Sequence, residues 1–292
     1  MKRTRLGRAL DVIKVDDADQ IHALANDERI DRVFDLQPTL NAIILRKTLG
    51  TLSYRGQRFP TMTRRGNAIR ATQQDQLWDR CNAKAAGMAE GPDVLLPLAG
   101  WVQGHDVRTD PGILVQQVVG SIFSETYVAT TDSWAAAVTL DNAIRSGSLV
   151  KMLWWKVTGK VTRAKRLLAS LVNNDLAGVH GTGVALHNIV ASIRLMRQLY
   201  LDQTSRNTLT PEDAVRECLM PPPVVLRQAT AEGTVSGCPF AKYSLLLLEL
   251  GAAYKKGASV DMVFMNGSWS RCPAEQWVPA VLAGVWKRAA MI

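Results

Sequence analysis

Between positions 163 and 201 the chain keeps a helical pattern, with Leu167, Leu168 and Leu171 followed by Ile189, Ile193, Met196 and Tyr200. Apolar residues at this spacing line one face, so the stretch predicts a long helix buried along one side. Its centre, LAGVHGTGVALHN at 176–188, is dense in small residues: Ala177, Gly178, Gly181 and Gly183. Each glycine inside a helix costs about 1 kcal/mol against alanine. A helix carries that cost where something must approach its backbone closely, and a flat ligand and a tightly crossing helix both qualify. His180 and His187 stand two turns apart and face roughly the same way, which is not a metal-chelating spacing; one or both also suit a polar core.

The second constraint lies at 262–286, MVFMNGSWSRCPAEQWVPAVLAGVW. Cys272 follows a short loop containing Gly267 and Ser268, and Pro273 suits a first helical position. The apolar positions Val278, Val281, Leu282, Val285 and Trp286 then predict a helix. A thiol just ahead of a helix N-terminus is favoured as thiolate, a soft ligand suited to iron. A buried free cysteine beside a capping loop is the other reading of the same residues.

The rest of the chain predicts a mainly α protein with a small β component. A short strand is expected at 11–15, then a helix capped by Asp17 with Ile21, Leu24 and Ala25 inside. Another helical pattern follows between 34 and 52, with Leu40, Ile43, Ile44 and Lys47 on one side. Residues 53–66 read as a loop. Helices are expected at 67–88, ended by Gly91-Pro92, at 113–123, and at 133–145 with Asp132 or Ser133 as cap. Residues 93–102 are apolar, and His105 reads as a surface residue. The strongest strand candidate is 243–250.

The 292 residues, 47% of them hydrophobic, can build one large core or two small ones. No apolar run long enough to span a bilayer is apparent, and the basic start, MKRTRLGRAL, lacks the apolar core of a secretory signal. Four scattered cysteines, at 81, 218, 238 and 272, fit a reducing cytoplasmic setting better than zinc or disulfides. The net charge is +9. The basic residues are scattered, densest at 2–8, 64–70 and 160–166, without interleaved aromatics, which argues against nucleic acid. An anionic cofactor or acidic substrate accounts for part of the excess.

The order of these pieces resembles the cytochrome P450 superfamily: a glycine-broken helix, then RECLMPPPVVLRQATAEGTVSG at 216–237, a strand pair, a cysteine loop and a helix. The resemblance implies a truncated P450-like helical fold as a single domain over 1–292, clearest over 163–292. It implies a b-type haem whose iron is held by Cys272, with Pro273 and Ala274 following and Phe264, Gly267 and Trp269 in the approach. Arg227 resembles the arginine that meets a haem propionate, and Arg271 is a second candidate. AGVHGT at 177–182 resembles the oxygen-activating motif, which brings Gly178 towards the cofactor and makes His180 and Thr182 candidate catalytic residues. Glu217 matches the glutamate of the Glu-x-x-Arg pair.

The departures shape the functional expectation. His180 stands where the family has an acid and Gly181 where it has the relay threonine, with Thr182 one place late. Met220 replaces the arginine of Glu-x-x-Arg, and the meander before the cysteine loop shrinks to 252–261. The resemblance then implies an oxidoreductase that uses a peroxide or hydroperoxide rather than dioxygen and a reductase. Its substrate is expected to be hydrophobic and lipid-like, with a carboxylate suited to the positive charge. A redox or peroxidase partner protein is compatible with this reading. A non-catalytic haem-binding or scaffold protein of P450 descent, and an unrelated helical binding protein, remain the alternatives.

Overall fold

A computed structural model describes residues 2–6, 10–37, 40–88, 94–105, 108–146 and 148–291. In chain order the first elements are β1 (Lys2–Leu6), β2 (Leu10–Val15), α1 (Ala18–Asn26), β3 (Ile30–Asp31), α2 (Asn41–Thr51), β4 (Ser53–Tyr54), β5 (Gln57–Arg58) and α3 (Ala68–Met88). Helices α4 (Leu96–Gln103), α5 (Pro111–Gly120), α6 (Thr131–Arg145), α7 (Leu149–Val157), α8 (Lys160–Leu171) and α9 (Leu176–His180) follow. A π-helical turn, Gly181–Ala185, leads into α10 (Leu186–Leu201), α11 (Gln203–Thr208) and α12 (Pro211–Cys218). The chain ends through β6 (Val225–Ala229), β7 (Gly233–Val235), β8 (Cys238–Phe240), β9 (Leu245–Leu248), α13 (Leu250–Lys255), α14 (Val260–Phe264) and α15 (Trp277–Met291). The architecture is mainly α with a small sheet component, as the sequence predicts.

These residues group into two compact units, one of 1–75 with 221–273 and one of 76–220 with 274–292. The first unit holds a five-stranded sheet in the order β1-β2-β9-β6-β3. Only the β2–β9 pairing is parallel; the others run antiparallel. β9 is four leucines because a central strand is covered on both faces and needs no polar alternation. Ile13, Val15, Leu246 and Leu248 from the sheet pack with Ile21, Leu24 and Ala25 from α1 in one core. Asp17 caps α1 by accepting from the Gln20 N–H at 2.9 Å.

The second unit is helical. The inner face of α10, carrying Leu186, Ile189, Val190, Ile193, Met196 and Tyr200, packs against α4, α5 and α12. Tyr200 also donates to the Ala289 carbonyl of α15 at 2.6 Å and meets Trp286 edge-on at 5.5 Å between centroids. The run Leu176–Leu201 is long and apolar enough to cross a membrane by length and composition, yet 50% of its most apolar window is buried inside the protein. Its partners mark it as a core helix.

Several local expectations change. The helix predicted over 163–201 is interrupted: Asn173 and Asn174 take left-handed conformations, and Asp175 restarts the helix by capping Ala177 and Gly178. Leu40 ahead of α2 and Ile43 and Ile44 on it are exposed, and Ala42 and Leu45 point inward instead. Residues 53–66 contain the β4–β5 hairpin and a 3-10 turn at Pro60–Met62. The α6 cap is Thr130, in a reciprocal capping box with Ser133. The strand expected at 243–250 narrows to β9. The last helix begins at Trp277, because residues 273–276 form turns. The Gly91-Pro92 break lies outside the described residues.

Candidate functional site

The first unit gathers four arginines around one indole. Sheet register starts the arrangement: β3 pairs with β6, setting Asp31 opposite Gln228, so Arg32 and Arg227 emerge at the same end of the sheet. The first turn of α3 supplies Arg70, the segment before it Arg65, and the cysteine loop supplies Trp269. The guanidinium carbons of Arg70, Arg32, Arg65 and Arg227 lie 4.4, 5.0, 5.3 and 5.5 Å from the Trp269 ring centroid. Cation–π attraction holds such groups by about 0.5–2 kcal/mol each.

Burial makes the group demanding. Arg227, Arg32 and Arg70 are only 1%, 7% and 8% exposed. Desolvation, reinforced by the neighbouring arginines, pushes Arg32 far below the usual arginine range and Arg227 down to about 9. Asp31 offsets Arg32, Arg70 and Arg227, Asp75 offsets Arg70, and Asp27, itself held by Arg29, acts on Arg65, so four cations face three carboxylates. One Asp31 oxygen is also committed to the backbone N–H groups of Arg32 and Arg65 at 2.6 and 2.9 Å. Within the cluster, Arg227 Nη2 donates to Ser270 Oγ at 2.6 Å, and Arg70 donates to the Trp269 carbonyl and to Gln74. The Nε of Arg32, Arg70 and Arg227 and the Nε1 of Trp269 are buried without a hydrogen-bond partner. Buried donors of this kind go unpaired at a cost of about 1–3 kcal/mol each, and an anion is the chemistry that would satisfy them.

Cys272 belongs to the same unit, three residues beyond Trp269. Helix α14 is capped at its C-terminus by Met265, left-handed at φ 54°, and Gly267 follows at φ 74°. A side chain at Gly267 would also press on the His22 ring, 3.2 Å from the position of its first carbon. The loop closes through Ser268 N–H to Met265 O and Cys272 N–H to Phe264 O at 2.7 Å. The Cys272 thiol is half-buried and free of disulfide, and a charge on it would act on Arg32. Phe264 is buried, and its carbonyl holds the cysteine backbone. The Arg271 carbonyl accepts from Gln74 at 3.0 Å.

The remaining sequence candidates lie in the second unit. The missing side chains of Gly178 and Gly181 are replaced by Phe123, with Val172 and Val119 beside it, and that of Gly183 by Leu168 and Leu140. Close packing by neighbouring side chains, the second of the two explanations, therefore accounts for the glycine density. Thr182 is fully buried; its hydroxyl donates to Gly178 O at 2.7 Å and its carbonyl accepts from Gln116 at 2.9 Å. Gln116 in turn joins Ser133, so a buried polar network pins the π turn. His187 Nε2 meets the Ala137 carbonyl at 3.1 Å and its ring lies 5.1 Å from Trp134; burial lowers its pKa. His180, half-buried, ends α9. Glu217 is exposed on α12, and the Met220 N–H donates to Ser192 at 2.9 Å.

Sequence reasoning placed Arg227, Trp269 and Cys272 in one site, and the structure brings the first two together within the cysteine's unit. It missed Arg32, Arg65 and Arg70. Two of these fall in the dense basic group at 64–70, which was the available signal; nothing in ERIDR at 28–32 marks Arg32.

No protein-family model and no curated protein matches the sequence. Solved structures do. Ligand-free cytochrome P450 OleT aligns over 98% of this chain and 82% of its own, with a TM-score of 0.63 and 10% identity. CYP105N1 from Streptomyces coelicolor aligns over 98% and 83%, with a TM-score of 0.60 and 13% identity. The haem domain of CYP116B5 from Acinetobacter radioresistens aligns over 96% and 81%, with a TM-score of 0.58 and 15% identity. The chain has a P450-like fold.

Proposed function

We propose that this P450-like chain is a haem-thiolate oxidoreductase that takes oxygen from a peroxide or hydroperoxide and acts on a hydrophobic, lipid-like substrate. The observation that carries the haem assignment is the arginine cluster: buried Nε and indole N–H donors without partners and a surplus of cation, in the unit that also holds Cys272, a half-buried thiol not in a disulfide. A dianionic cofactor with an iron that accepts sulfur fits that donor set. Cys272 would hold the iron, and Arg227, Arg32 and Arg70 would meet the two propionates. Arg271, adjoining the ligand, is a further propionate candidate, and Phe264, Gly267 and Trp269 shape and line the loop. A thiolate-bound haem favours cleavage of an O–O bond.

The chain's own residues argue for the oxygen source. His180 occupies the motif's acid position and can hold or move a proton near neutral pH. Gly181 offers no hydroxyl, and the Thr182 hydroxyl is committed to Gly178. The relay that dioxygen chemistry requires in the family is thus not assembled by this motif. A variant of OleT similar to this chain, with a TM-score of 0.66 and 9% identity, was solved in complex with arachidonic acid, which supports a fatty-acid-like substrate. Four cysteines, none of them in a disulfide, suit a reducing compartment such as the cytoplasm.

The test compares product formation from a fatty acid with hydrogen peroxide, with a lipid hydroperoxide, and with dioxygen plus a reductase, in wild type and His180→Ala. Turnover with either peroxide that falls in the variant supports the proposal. Efficient coupling to reductase and dioxygen contradicts the oxygen source. Haem uptake without turnover under any oxidant favours the non-catalytic reading, for which the committed Thr182 hydroxyl is the specific observation.

A further inference from the structure

Helix α7 exposes Val150, Trp154 and Val157 at 79%, 65% and 76% of their surfaces. The spacing i, i+4, i+7 places them on one face. Single exposed apolar residues are ordinary, but three large ones in register on a nine-residue helix form a stripe. The charge around it is one-sided. Residues 142–174 contain seven lysines and arginines and no aspartate or glutamate; of these, Arg145 pairs with Asp141 and Lys165 is buried, and the others include Lys151, Lys160, Arg163 and Arg166. Lys151 is exposed beside Val150, and Lys160, Arg163 and Arg166 are exposed at every third position of α8. The two helices pack on each other, with Gly159 in a left-handed turn between them.

We propose that α7 and α8 form a docking surface for an anionic lipid bilayer. Trp154 and its flanking valines enter the headgroup region, and the lysines and arginines meet lipid phosphates. Tryptophan with aliphatic neighbours and a basic border is the composition of a helix that lies in a membrane interface. A second copy of this chain fits poorly. It would set a cationic surface against its own like, and like charges across an interface are unfavourable. The proposal concerns the second unit only and stands independently of haem.

Flotation of the full chain with phosphatidylcholine vesicles, with and without phosphatidylglycerol, tests it. Wild type is expected to float with the anionic vesicles and not with the neutral ones, less so at high salt. The variant Val150→Ser/Trp154→Ser/Val157→Ser and the variant Lys151→Gln/Lys160→Gln/Arg163→Gln should each lose binding by roughly tenfold or more. All six positions are exposed, so both variants should keep the wild-type circular dichroism spectrum. Absence of flotation, or flotation that survives both variants, overturns the proposal. So does a dimer in sedimentation that the serine variant dissolves while wild type ignores vesicles, which assigns the stripe to self-association.

Discussion

Arg70 holds Trp269 in two ways: its guanidinium carbon lies 4.4 Å from the ring centroid, and its Nη2 donates to the carbonyl of the same residue. A cation fixed by a ring and a backbone oxygen cannot swing out to water. With Arg32 and Arg227 buried as well, the first unit keeps a surplus of positive charge in place before any ligand arrives. Preorganisation of this kind favours anion binding because little is left to order on binding.

The same charge has opposite effects on stability and on binding. Replacing Arg32 by methionine removes a buried, under-compensated cation, so the haem-free protein should gain about 1–3 kcal/mol. Haem retention should fall at the same time, by roughly tenfold, because one charge-assisted bond is lost. Thermal unfolding of the haem-free protein and a haem titration read the two effects separately. Loss of both stability and binding would mean that Arg32 is a purely structural residue.

Lys165 gives the second unit a pH dependence. Burial pushes its ammonium from the usual 10.5 down to about 8. The unfolded chain then binds more protons than the folded one between these values, so stability rises as pH increases through that window. At pH 7 the charged form is the one buried, and Lys165→Met should stabilise the protein by about 1–3 kcal/mol. Denaturant unfolding at pH 7 and pH 10 should show the wild-type deficit shrinking at the higher pH. An unchanged difference would put the cost elsewhere.

Restoring a threonine to the motif should not restore a relay. A first side-chain carbon at Gly181 would lie 2.8 Å from Phe123 Cε2, so Gly181→Thr is overpacked and should lose about 1–3 kcal/mol. Phe123→Ala in the same chain makes room, and the double variant should be less destabilised than the sum of the two single ones. Strict additivity in thermal unfolding would show that the two positions do not meet.

Legibility in the sequence followed burial. Where one face is buried and the other wet, the periodicity named the right residues: Ile21, Leu24 and Ala25 in α1, and Ile189, Ile193, Met196 and Tyr200 in α10. On α2 the apolar residues outnumber what the core takes up, so Ile43 and Ile44 pointed to the wrong face. The break at Asn173 and Asn174 rests on left-handed backbone that asparagine tolerates, a signal the surrounding leucines mask. In the site, Cys272 and Arg227 were legible through motif resemblance. Arg32 and Arg70 were not, because they reach Trp269 through the pairing of β3 with β6 and the start of α3, relations that no local pattern records.

Cysteine ligation is read in a single spectrum. Haem-reconstituted protein, reduced and exposed to carbon monoxide, is predicted to show the absorption band of thiolate-bound haem. Cys272→Ser should abolish that band, and serine at Cys81, Cys218 or Cys238 should leave it unchanged. Haem uptake with an identical band in Cys272→Ser, or no haem uptake by the wild-type chain, would contradict the assignment.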